Sequence, residues 1–438
     1  MPRLRVLWLS HLVPYPPQGG AAQRSYHLLR EASRRHSVHL VALNQRARLG
    51  GPGGIEVAVR ELSRVCERVR AFPIPWDRSR LHRIAVAAAS ALHRAPYEVN
   101  WLYSPAMHAY VRALARETTY DLIHVDTLGL MPYARPFEPA PVVLTHHDVE
   151  WHLVARRAEA ERGAARAYFR WEAEKIVRFQ RRVAARVALH VAVSALDAER
   201  LGAFDPRAKT TVVDNGVDVE YFRPGASGRS EEGGLVFMGL LNCFPNRDAV
   251  SYFLTAVWPG LVADDPRRRI TIVGREPPPE LLALAAGDAR VSILGNVPDV
   301  RPHLDVASIF VCPLRVGGGT RLKVLDALAA GKPLVATTLS VEGLDIVDGE
   351  HYLRADTPAA FVAQIRRLEA DAALRGRLAQ AGRERVVERY GWERIGEKLG
   401  RAYELVTTER AGRGEAATSG RPLRSPAVSA ISTYNRSR

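Results

Sequence analysis

Short apolar runs alternate with amphipathic segments along most of the chain. In the first half, such runs lie at residues 5–10, 38–43, 122–125, 142–145 and 189–193. In the second half they lie at 235–240, 270–274, 291–295, 309–313 and 333–337. Short β-rich runs separated by helices are typical of βαβ units around a buried parallel sheet. The pattern therefore predicts an α/β fold with two Rossmann-like, doubly wound domains facing a central cleft, where such folds bind ligands.

Helical patterns and one small, polar segment suggest how the chain divides. We expect helices at 25–33, 154–187 and 393–408, and a linker at 225–234, which contains mainly Gly and Ser with charged residues. The predicted units are an N-terminal domain (1–200), a crossing and linker (201–234), a C-terminal domain (235–390), a terminal helix (391–410) and a disordered basic tail (411–438).

Composition fits this picture. The chain has 438 residues, 47% hydrophobic and 25% charged, which excludes a disordered or fibrous protein and favours two domains. Its longest apolar stretch, 84–92, is far short of the roughly 20 residues of a spanning helix. The apolar run at 6–9 is too short for a secretory signal, so we expect a cytoplasmic protein. Cys66, Cys243 and Cys312 are far apart, which favours reduced core thiols.

The net charge of +15 is unevenly distributed. Residues 1–200 carry 30 basic and 18 acidic side chains, whereas residues 201–410 are almost neutral. A basic first half suits an anionic acceptor or an anionic membrane surface, although an arginine-rich composition also simply solvates a surface. Without an RNA- or DNA-binding motif, nucleic-acid binding is disfavoured.

The most informative segment is a triple-glycine loop between a strand and a helix. Gly317, Gly318 and Gly319 precede Thr320, a plausible N-cap, and the helix ends near Gly331. Glycines allow close approach of a ligand, and the first N–H groups of a helix are unpaired donors. The loop therefore predicts a diphosphate-binding site.

Lys323 and Asp326 follow this loop and share a helix face. The alternative interpretation is a surface ion pair worth about 0.2–0.5 kcal/mol. However, lysine is rare among the 62 basic residues, at only five positions, which favours a functional Lys323. The Lys-Ser/Thr ending of a Walker A loop is absent.

Two segments of the first half also follow strands. Gly19, Gly20 and Arg24 lie in PYPPQGGAAQR, which lacks the GxGxxG spacing of a nicotinamide dinucleotide site. His147 and Asp148 lie in THHDVE, where no metal-ligand spacing is present, so we expect no metal. A histidine oriented by a carboxylate can position a substrate hydroxyl, or the pair can be purely structural.

These segments, in this order, resemble glycosyltransferase family 4, the retaining GT-B enzymes that use nucleotide sugars. The resemblance spans about residues 4–408, and within the family it is strongest to transferases that build bacterial surface polysaccharides. The strings that carry it are PYPPQGGAAQR, HHDVE, VSALDAERL, VVDNGVDVEYFRP, FMGLLNCFPNRDAVSYFLTAVWP, LGNVPDVRPHL and PLRVGGGTRLKVLDALAAGKPLVAT.

The resemblance implies a role for several residues. Gly19 and Gly20 would line the phosphate side of the cleft, and His147 would lie near the reacting sugar. Val297 would contact the nucleotide base, and Asp326 would hold the ribose hydroxyls.

The chain departs from the family pattern at two places. The family often has two glutamates with seven residues between them. Here the first is replaced by Gly318 and the second by Asp326. The family's usual Arg and Lys after the opening strand would fall near Leu240 and Pro245. Four cationic residues are candidates to supply the missing charge: Arg247, Arg275, Arg321 and Lys323.

The expected function is transfer of a sugar from a nucleotide sugar to a glycan or lipid-linked acceptor, with retention, without a metal or other cofactor, and in part at the inner membrane surface. His147, Asp148 and Lys323 are the predicted catalytic residues. A nucleotide-sugar epimerase of the same fold and a noncatalytic sugar-nucleotide binding protein are the alternatives. The sequence does not identify the base, sugar, acceptor, linkage or oligomeric state.

Overall fold

The computed structural model describes residues 2–45, 49, 52–77, 79–225, 234–317 and 321–419. These residues form two parallel sheets with helices on both faces, one in each half of the chain. The sheets change over between Val212 and Gly234. The predicted α/β architecture is therefore present.

The first sheet has seven strands in the order β3-β2-β1-β4-β5-β6-β7. These are β1 (Arg5–Ser10), β2 (Ser37–Asn44), β3 (Arg68–Pro73), β4 (Leu122–Val125), β5 (Val142–Thr145), β6 (Val187–Ala192) and β7 (Thr210–Val212). The helices around it are Gly20–Arg35, Pro52–Leu62, Arg80–Leu92, Tyr97–Trp101, Pro105–Glu117, Met131–Ala134, Glu150–Ala160, Gly163–Val183 and Ala195–Phe204, with 3-10 turns at Leu128–Leu130, Arg135–Phe137 and Ala184–Arg186.

The second sheet has six strands in the order β10-β9-β8-β11-β12-β13. These are β8 (Gly234–Met238), β9 (Arg269–Val273), β10 (Val291–Leu294), β11 (Ile309–Cys312), β12 (Leu334–Ala336) and β13 (Leu353–Arg354). Its helices are Phe244–Tyr252, Trp258–Val262, Pro279–Ala286, Arg301–Val306, Leu322–Ala329, Pro358–Ala370 and Ala372–Tyr390, with a π-helical turn at Phe253–Val257 and a 3-10 turn at Thr338–Val341.

The structure corrects two of the predicted helices. The helix expected at 154–187 is two helices, Glu150–Ala160 and Gly163–Val183, because Gly163 has a positive φ of 57° that interrupts the helical path. The terminal helix is Trp392–Ser419, so residues 411–419 are helical rather than disordered. Residues 420–438 and most of the predicted linker (226–233) lie outside the described residues.

The terminal helix returns to the first half of the chain. Ile395, Leu399 and Tyr403 are buried in the same core as Trp8 of β1. The chain therefore crosses between the two sheets twice, and the crossings meet: Val217 N donates to Tyr390 O at 2.8 Å. These contacts hold the two halves together on the side of the molecule where the chain passes between them.

Candidate functional site

The carboxyl ends of the strands of both sheets face one cleft. The loop after β1 contacts the loop after β9. Arg275 Nη1 of the second half donates a hydrogen bond to Gln18 Oε1 of the first half at 3.2 Å. A Cβ placed on Gly20 would lie 3.6 Å from Leu322 Cδ1 of the second half. Crevices of this kind, outside the carboxyl ends of parallel strands, are where doubly wound folds bind ligands.

A second set of contacts bridges the cleft further along. Glu342 forms ion pairs with Arg200 at 3.1 Å and with Arg156 at 3.3 Å, both from the first half. Glu342 also lines a cavity of about 430 Å³ beside the carboxyl ends of β11 and β12. At this place the two halves of the chain are joined by ion pairs.

On the first-half side, a buried carboxylate organises the site. Asp126 follows β4 and is only 1% exposed. It accepts hydrogen bonds from Ser25 Oγ at 2.6 Å, Ser10 Oγ at 3.1 Å and His147 Nε2 at 3.1 Å. Burial opposes its ionisation, but His147 and His11 outweigh burial and hold the pKa of Asp126 well below its ordinary value.

His147 is oriented by this carboxylate. An ionised carboxylate only accepts, so Nε2 carries the proton and Nδ1 is left as an acceptor. Burial lowers the pKa of His147 despite the proximity of Asp126, which favours the neutral ring. A neutral imidazole whose free nitrogen accepts a hydrogen bond can position a sugar or acceptor hydroxyl.

The adjacent His146 has a different environment. It is fully buried, with Nδ1 3.1 Å from Glu150 Oε2 and Nε2 2.9 Å from His190 Nδ1. Both of its ring nitrogens are therefore engaged inside the protein. Of the two neighbouring histidines, only His147 is available to a ligand.

Three ligand-type groups meet at Asp126. His11, Asp126 and His147 offer ligand atoms within 4.8 Å of one another, an arrangement that could hold a metal ion. However, both oxygens of the Asp126 carboxylate already accept hydrogen bonds from Ser10, Ser25 or His147. These hydrogen bonds indicate that the grouping of His11, Asp126 and His147 serves to orient the His147 ring.

Asp148 and Arg321 face each other from opposite sides of the cleft. Within the described part of the chain, Asp148 Oδ1 and Arg321 Nε and Nη2 are buried without a hydrogen-bond partner. Burial raises the pKa of Asp148 to about 7 and lowers the pKa of Arg321, and each opposes this effect on the other. Buried donors without partners cost free energy, and a guanidinium fork fits phosphate oxygens, so this geometry suits an anionic ligand.

Lys323 lies in the first turn of the helix after the glycine loop. Its Nζ donates to Asn246 Oδ1 and lies 4.5 Å from the centre of the Phe237 ring. A Cβ on Gly239, just after β8, would lie 2.7 Å from this nitrogen. Burial lowers the pKa of Lys323 to about 8. The lysine is thus held against the end of β8 at the cleft rather than in bulk solvent.

The surface ion-pair interpretation of Lys323 and Asp326 is wrong. Asp326 is 8% exposed, and burial raises its pKa to about 8. The two oxygens of a carboxyl group can accept hydrogen bonds from two adjacent ribose hydroxyls. Asn246 and Asp126 are residues that the sequence analysis did not identify. The sequence signal for Asp126 is its position directly after a predicted strand, where parallel sheets place ligand-binding residues.

The structure gives Arg24 a different role from the predicted one. Arg24 is 1% exposed, and its guanidinium donates to Val213 O, Asp214 O and Asn215 Oδ1 at 2.7, 2.7 and 2.9 Å. These bonds tie the helix after the first glycine loop to the crossing segment. Donor binding by Arg24 therefore does not fit, since its two terminal nitrogens are already engaged by the protein.

The remaining predicted residues lie around the second-half side of the cleft. Arg247 is exposed and paired with Glu280 at 3.4 Å, and Val297 is partly buried in the loop after β10. Gly317 has a φ of 124°, and a Cβ there would lie 2.9 Å from Arg321 Nη2, so a larger residue would strain the loop. Gly318, Gly319 and Thr320 lie outside the described residues.

The cysteines differ from one another. Cys66 and Cys312 are buried, as predicted for core thiols, but Cys243 is exposed at the start of the Phe244–Tyr252 helix. The prediction of a core thiol is therefore wrong for Cys243, because this residue lies at the end of a loop at the cleft.

Across the part of the chain that the structure describes, every helix is too short or too polar to cross a bilayer.

Two facing parallel α/β units with cationic groups at the strand ends are the architecture of GT-B glycosyltransferases. Residues 18–221 match the family model described as Glycosyltransferase Family 4, and residues 232–371 match that of Glycosyl transferases group 1. Both models describe glycosyltransferases, and together they span most of the chain, as its motifs predicted.

Individual relatives agree with this assignment. The chain is 27% identical to a phosphatidyl-myo-inositol mannosyltransferase of Mycobacterium leprae, over 82% of this chain and 94% of the relative. It is 28% identical to a D-inositol 3-phosphate glycosyltransferase of Geodermatophilus obscurus, over 89% of this chain and 92% of the relative. Both relatives are glycosyltransferases, so the epimerase and noncatalytic alternatives are not favoured.

Solved structures confirm the predicted fold. Anabaena Alr3699/HepE in complex with UDP and glucose superposes with a TM-score of 0.65 at 14% identity, covering 92% of this chain and 100% of that one. The sucrose-phosphate synthase of Thermosynechococcus elongatus superposes with a TM-score of 0.68 at 17% identity, with the same coverage. At this level of identity, the likeness concerns the fold.

Removing the His147 side chain tests its role. We expect His147→Ala to slow sugar transfer by about 2- to 12-fold, the effect of losing a hydrogen bond between neutral groups of about 0.5–1.5 kcal/mol. Nucleotide affinity should change much less, because His147 lies on the first-half side of the cleft. Steady-state kinetics and nucleotide titration check this. His146→Ala is the matched control, expected to lower the melting temperature instead; equal loss of nucleotide binding and transfer in His147→Ala would make His147 structural.

Proposed function

We propose that this protein transfers a sugar from a nucleoside diphosphate sugar to an acceptor that carries a phosphate or a lipid, with retention of configuration and without a metal ion. The observation that carries the proposal is the pair of buried, unpartnered donors of Arg321, beside Lys323 and opposite Gly19 and Gly20. On this proposal the second half of the chain binds the donor and the first half binds the acceptor.

The residues would act on charge. As the glycosidic bond breaks, positive charge develops at the anomeric carbon and negative charge grows on the departing phosphate. Arg321 and Lys323 lie where they would neutralise that phosphate, and preorganised donors of this kind lower a barrier by about 2.7–4 kcal/mol each. With two protein cations at this position, a metal ion is not required for that role.

The remaining residues would orient the substrates. Asp326 would accept hydrogen bonds from the ribose hydroxyls, and Val297 would contact the base. His147, held by Asp126, would position a hydroxyl of the transferred sugar. The resemblance to glycosyltransferase family 4 supports retention, since in that family the departing phosphate is thought to deprotonate the acceptor on the same face of the sugar.

A screen of donors tests this function. UDP-, GDP- and ADP-sugars are added in turn, with and without EDTA, and the melting temperature and the turnover of labelled sugar are measured. One donor class at about 100 times its Kd should stabilise the fold by about 2.7 kcal/mol, with or without EDTA. Stabilisation without turnover would support a noncatalytic binder, and turnover without any acceptor would support an epimerase. Loss of turnover in EDTA that a divalent cation restores would contradict the metal-free proposal.

We also propose that the acceptor is met at an anionic membrane surface. The excess of basic residues in the first half supports this, since each Lys or Arg near such a surface contributes about 1 kcal/mol. The two relatives are named for phosphatidyl-myo-inositol and D-inositol 3-phosphate, which are phosphate-bearing acceptors. The protein should sediment with vesicles only when these contain anionic lipid, and added salt should weaken this binding. Binding that depends neither on anionic lipid nor on salt would contradict the membrane proposal.

A further inference from the structure

A cavity of about 560 Å³ lies in the first half of the chain, outside the cleft residues described above. One wall is the Arg80–Leu92 helix, which contributes Val86 and Ala89, and the opposite wall contains Val99, Pro132 and Tyr133. The volume falls within the range of about 300–1,000 Å³ that is typical of small-molecule sites.

Two polar side chains on the cavity wall, Asn100 and Tyr133, are already hydrogen-bonded inside the protein. Asn100 Nδ2 donates to Ser90 Oγ at 3.0 Å and to Ala95 O at 3.2 Å. The Tyr133 hydroxyl donates to Leu102 O at 2.8 Å and accepts from Ser104 N at 2.7 Å. The wall also contains His82, His93, His108 and Tyr103. Its exposed surface is nevertheless mainly apolar, so the cavity favours an occupant with a hydrocarbon part.

The outer side of the cavity is unusually apolar for a surface. On the Arg80–Leu92 helix, Leu81 is 77% exposed and Ile84 is 56% exposed, and Trp76 just before the helix is 38% exposed. Arg83 and Arg94 are exposed beside them. Exposed apolar residues flanked by basic ones are typical of helices that lie at a membrane interface.

The inner side of the cavity leads to the acceptor side of the cleft. Gly129 forms part of the wall, and a Cβ there would lie 2.9 Å from Glu98 Cγ. The Glu98 carboxyl accepts a hydrogen bond from Thr127 Oγ1 at 2.8 Å, and Thr127 adjoins Asp126, which orients His147. Cavity and reaction site are thus separated by only a few residues at the end of β4.

We propose that this cavity binds the hydrocarbon chain of an amphiphilic acceptor whose polar end lies near Asp126 and His147. The inference rests on the proposed function, and it adds the chemical class of the acceptor and the place where its apolar part is held. The sequence of environments, from exposed apolar helix through apolar cavity to polar cleft, matches that of a lipid entering from a bilayer.

The test uses two neighbouring alanines on one helix. Both alanines are exposed, but Ala89 lines the cavity and Ala88 does not. The probe is cis-parinaric acid, a fatty acid whose fluorescence rises in apolar surroundings. We expect saturable binding to the unmodified protein and to Ala88→Phe, and binding at least tenfold weaker to Ala89→Phe. Equal affinity of the two variants, or binding that does not saturate, would overturn the proposal.

Two further measurements separate the possible failures. Circular dichroism verifies folding, and Ala85→Phe, which also fills the cavity, replaces Ala89→Phe if that variant unfolds. Nucleotide-sugar stabilisation should be unchanged in Ala89→Phe. If the protein binds the probe saturably and in an Ala89-dependent way but responds to no nucleotide sugar, the result would contradict the proposed function and support the apolar binding site. A dimer that Ala89→Phe dissociates would assign the cavity to a subunit interface and overturn the inference.

Discussion

Replacing Lys323 with alanine is expected to lower kcat for sugar transfer by at least about 100-fold while the protein stays folded, the size of effect seen when one preorganised donor is removed. The physical reason is that Lys323 is half-buried at the carboxyl end of β8, where its charge is poorly screened by water and acts strongly on a departing phosphate. Single-turnover kinetics and circular dichroism check this. Lys209→Ala, at an exposed lysine of the first half, is the control and should leave kcat unchanged.

Lys323 also predicts a pH dependence. Burial lowers its pKa to about 8, so the ammonium is present below that pH and is lost as the pH rises through it. We expect kcat/KM for the donor to fall about tenfold per pH unit above about 8, as for loss of one essential proton. Lys323→Arg, which stays charged, should retain part of the activity and lose this alkaline limb. An unchanged limb in Lys323→Arg would assign the titration to another group.

Replacing Arg321 with glutamine is expected to weaken nucleotide-sugar binding by about 10- to 150-fold, because charge-assisted hydrogen bonds contribute about 1.5–3 kcal/mol. In the absence of ligand, the melting temperature of Arg321→Gln should equal or exceed that of the unmodified protein. The reason is that Nε and Nη2 of Arg321 are buried without partners, so the free protein carries their desolvation cost without a compensating bond. Calorimetric titration and thermal unfolding measure the two effects.

Arg24 provides the matched control for Arg321. Its guanidinium donates three hydrogen bonds to the crossing segment. Arg24→Gln should therefore lower the melting temperature markedly, because the carbonyl groups of Val213 and Asp214 lose their donors. If Arg321→Gln were destabilised as strongly as Arg24→Gln and still bound nucleotide sugars normally, Arg321 would be a structural arginine.

The central strands were predictable and three edge strands were not. β1, β4 and β5 have the limits expected from their apolar runs, because a central parallel strand is buried on both faces and reads as a continuous apolar segment. β3, β7 and β13 lie at sheet edges, and each has partly exposed positions. Their mixed polarity carried no clear signal in the sequence.

The site was predictable only in part, for a similar reason. Gly20, Arg275 and Lys323 each follow a strand or a glycine loop, and the structure brings them to one cleft. Asp126 was missed because a single acidic residue after a strand is common, and its importance comes from Ser10, Ser25 and His147, which are distant in sequence. Arg24 was assigned to the donor because its sequence neighbours are glycines, whereas its partners lie about 190 residues away.

By itself, the sequence determined the alternation of strands and helices, the two parallel sheets and the class of enzyme, because these depend on local periodicity and on the order of short motifs along the chain. Only the tertiary structure decided which of two adjacent histidines is available, which arginine lacks partners and which is held by the crossing segment, and where an apolar cavity adjoins the cleft. Hydrogen bonding and burial join residues that are remote along the chain, so no local pattern records them.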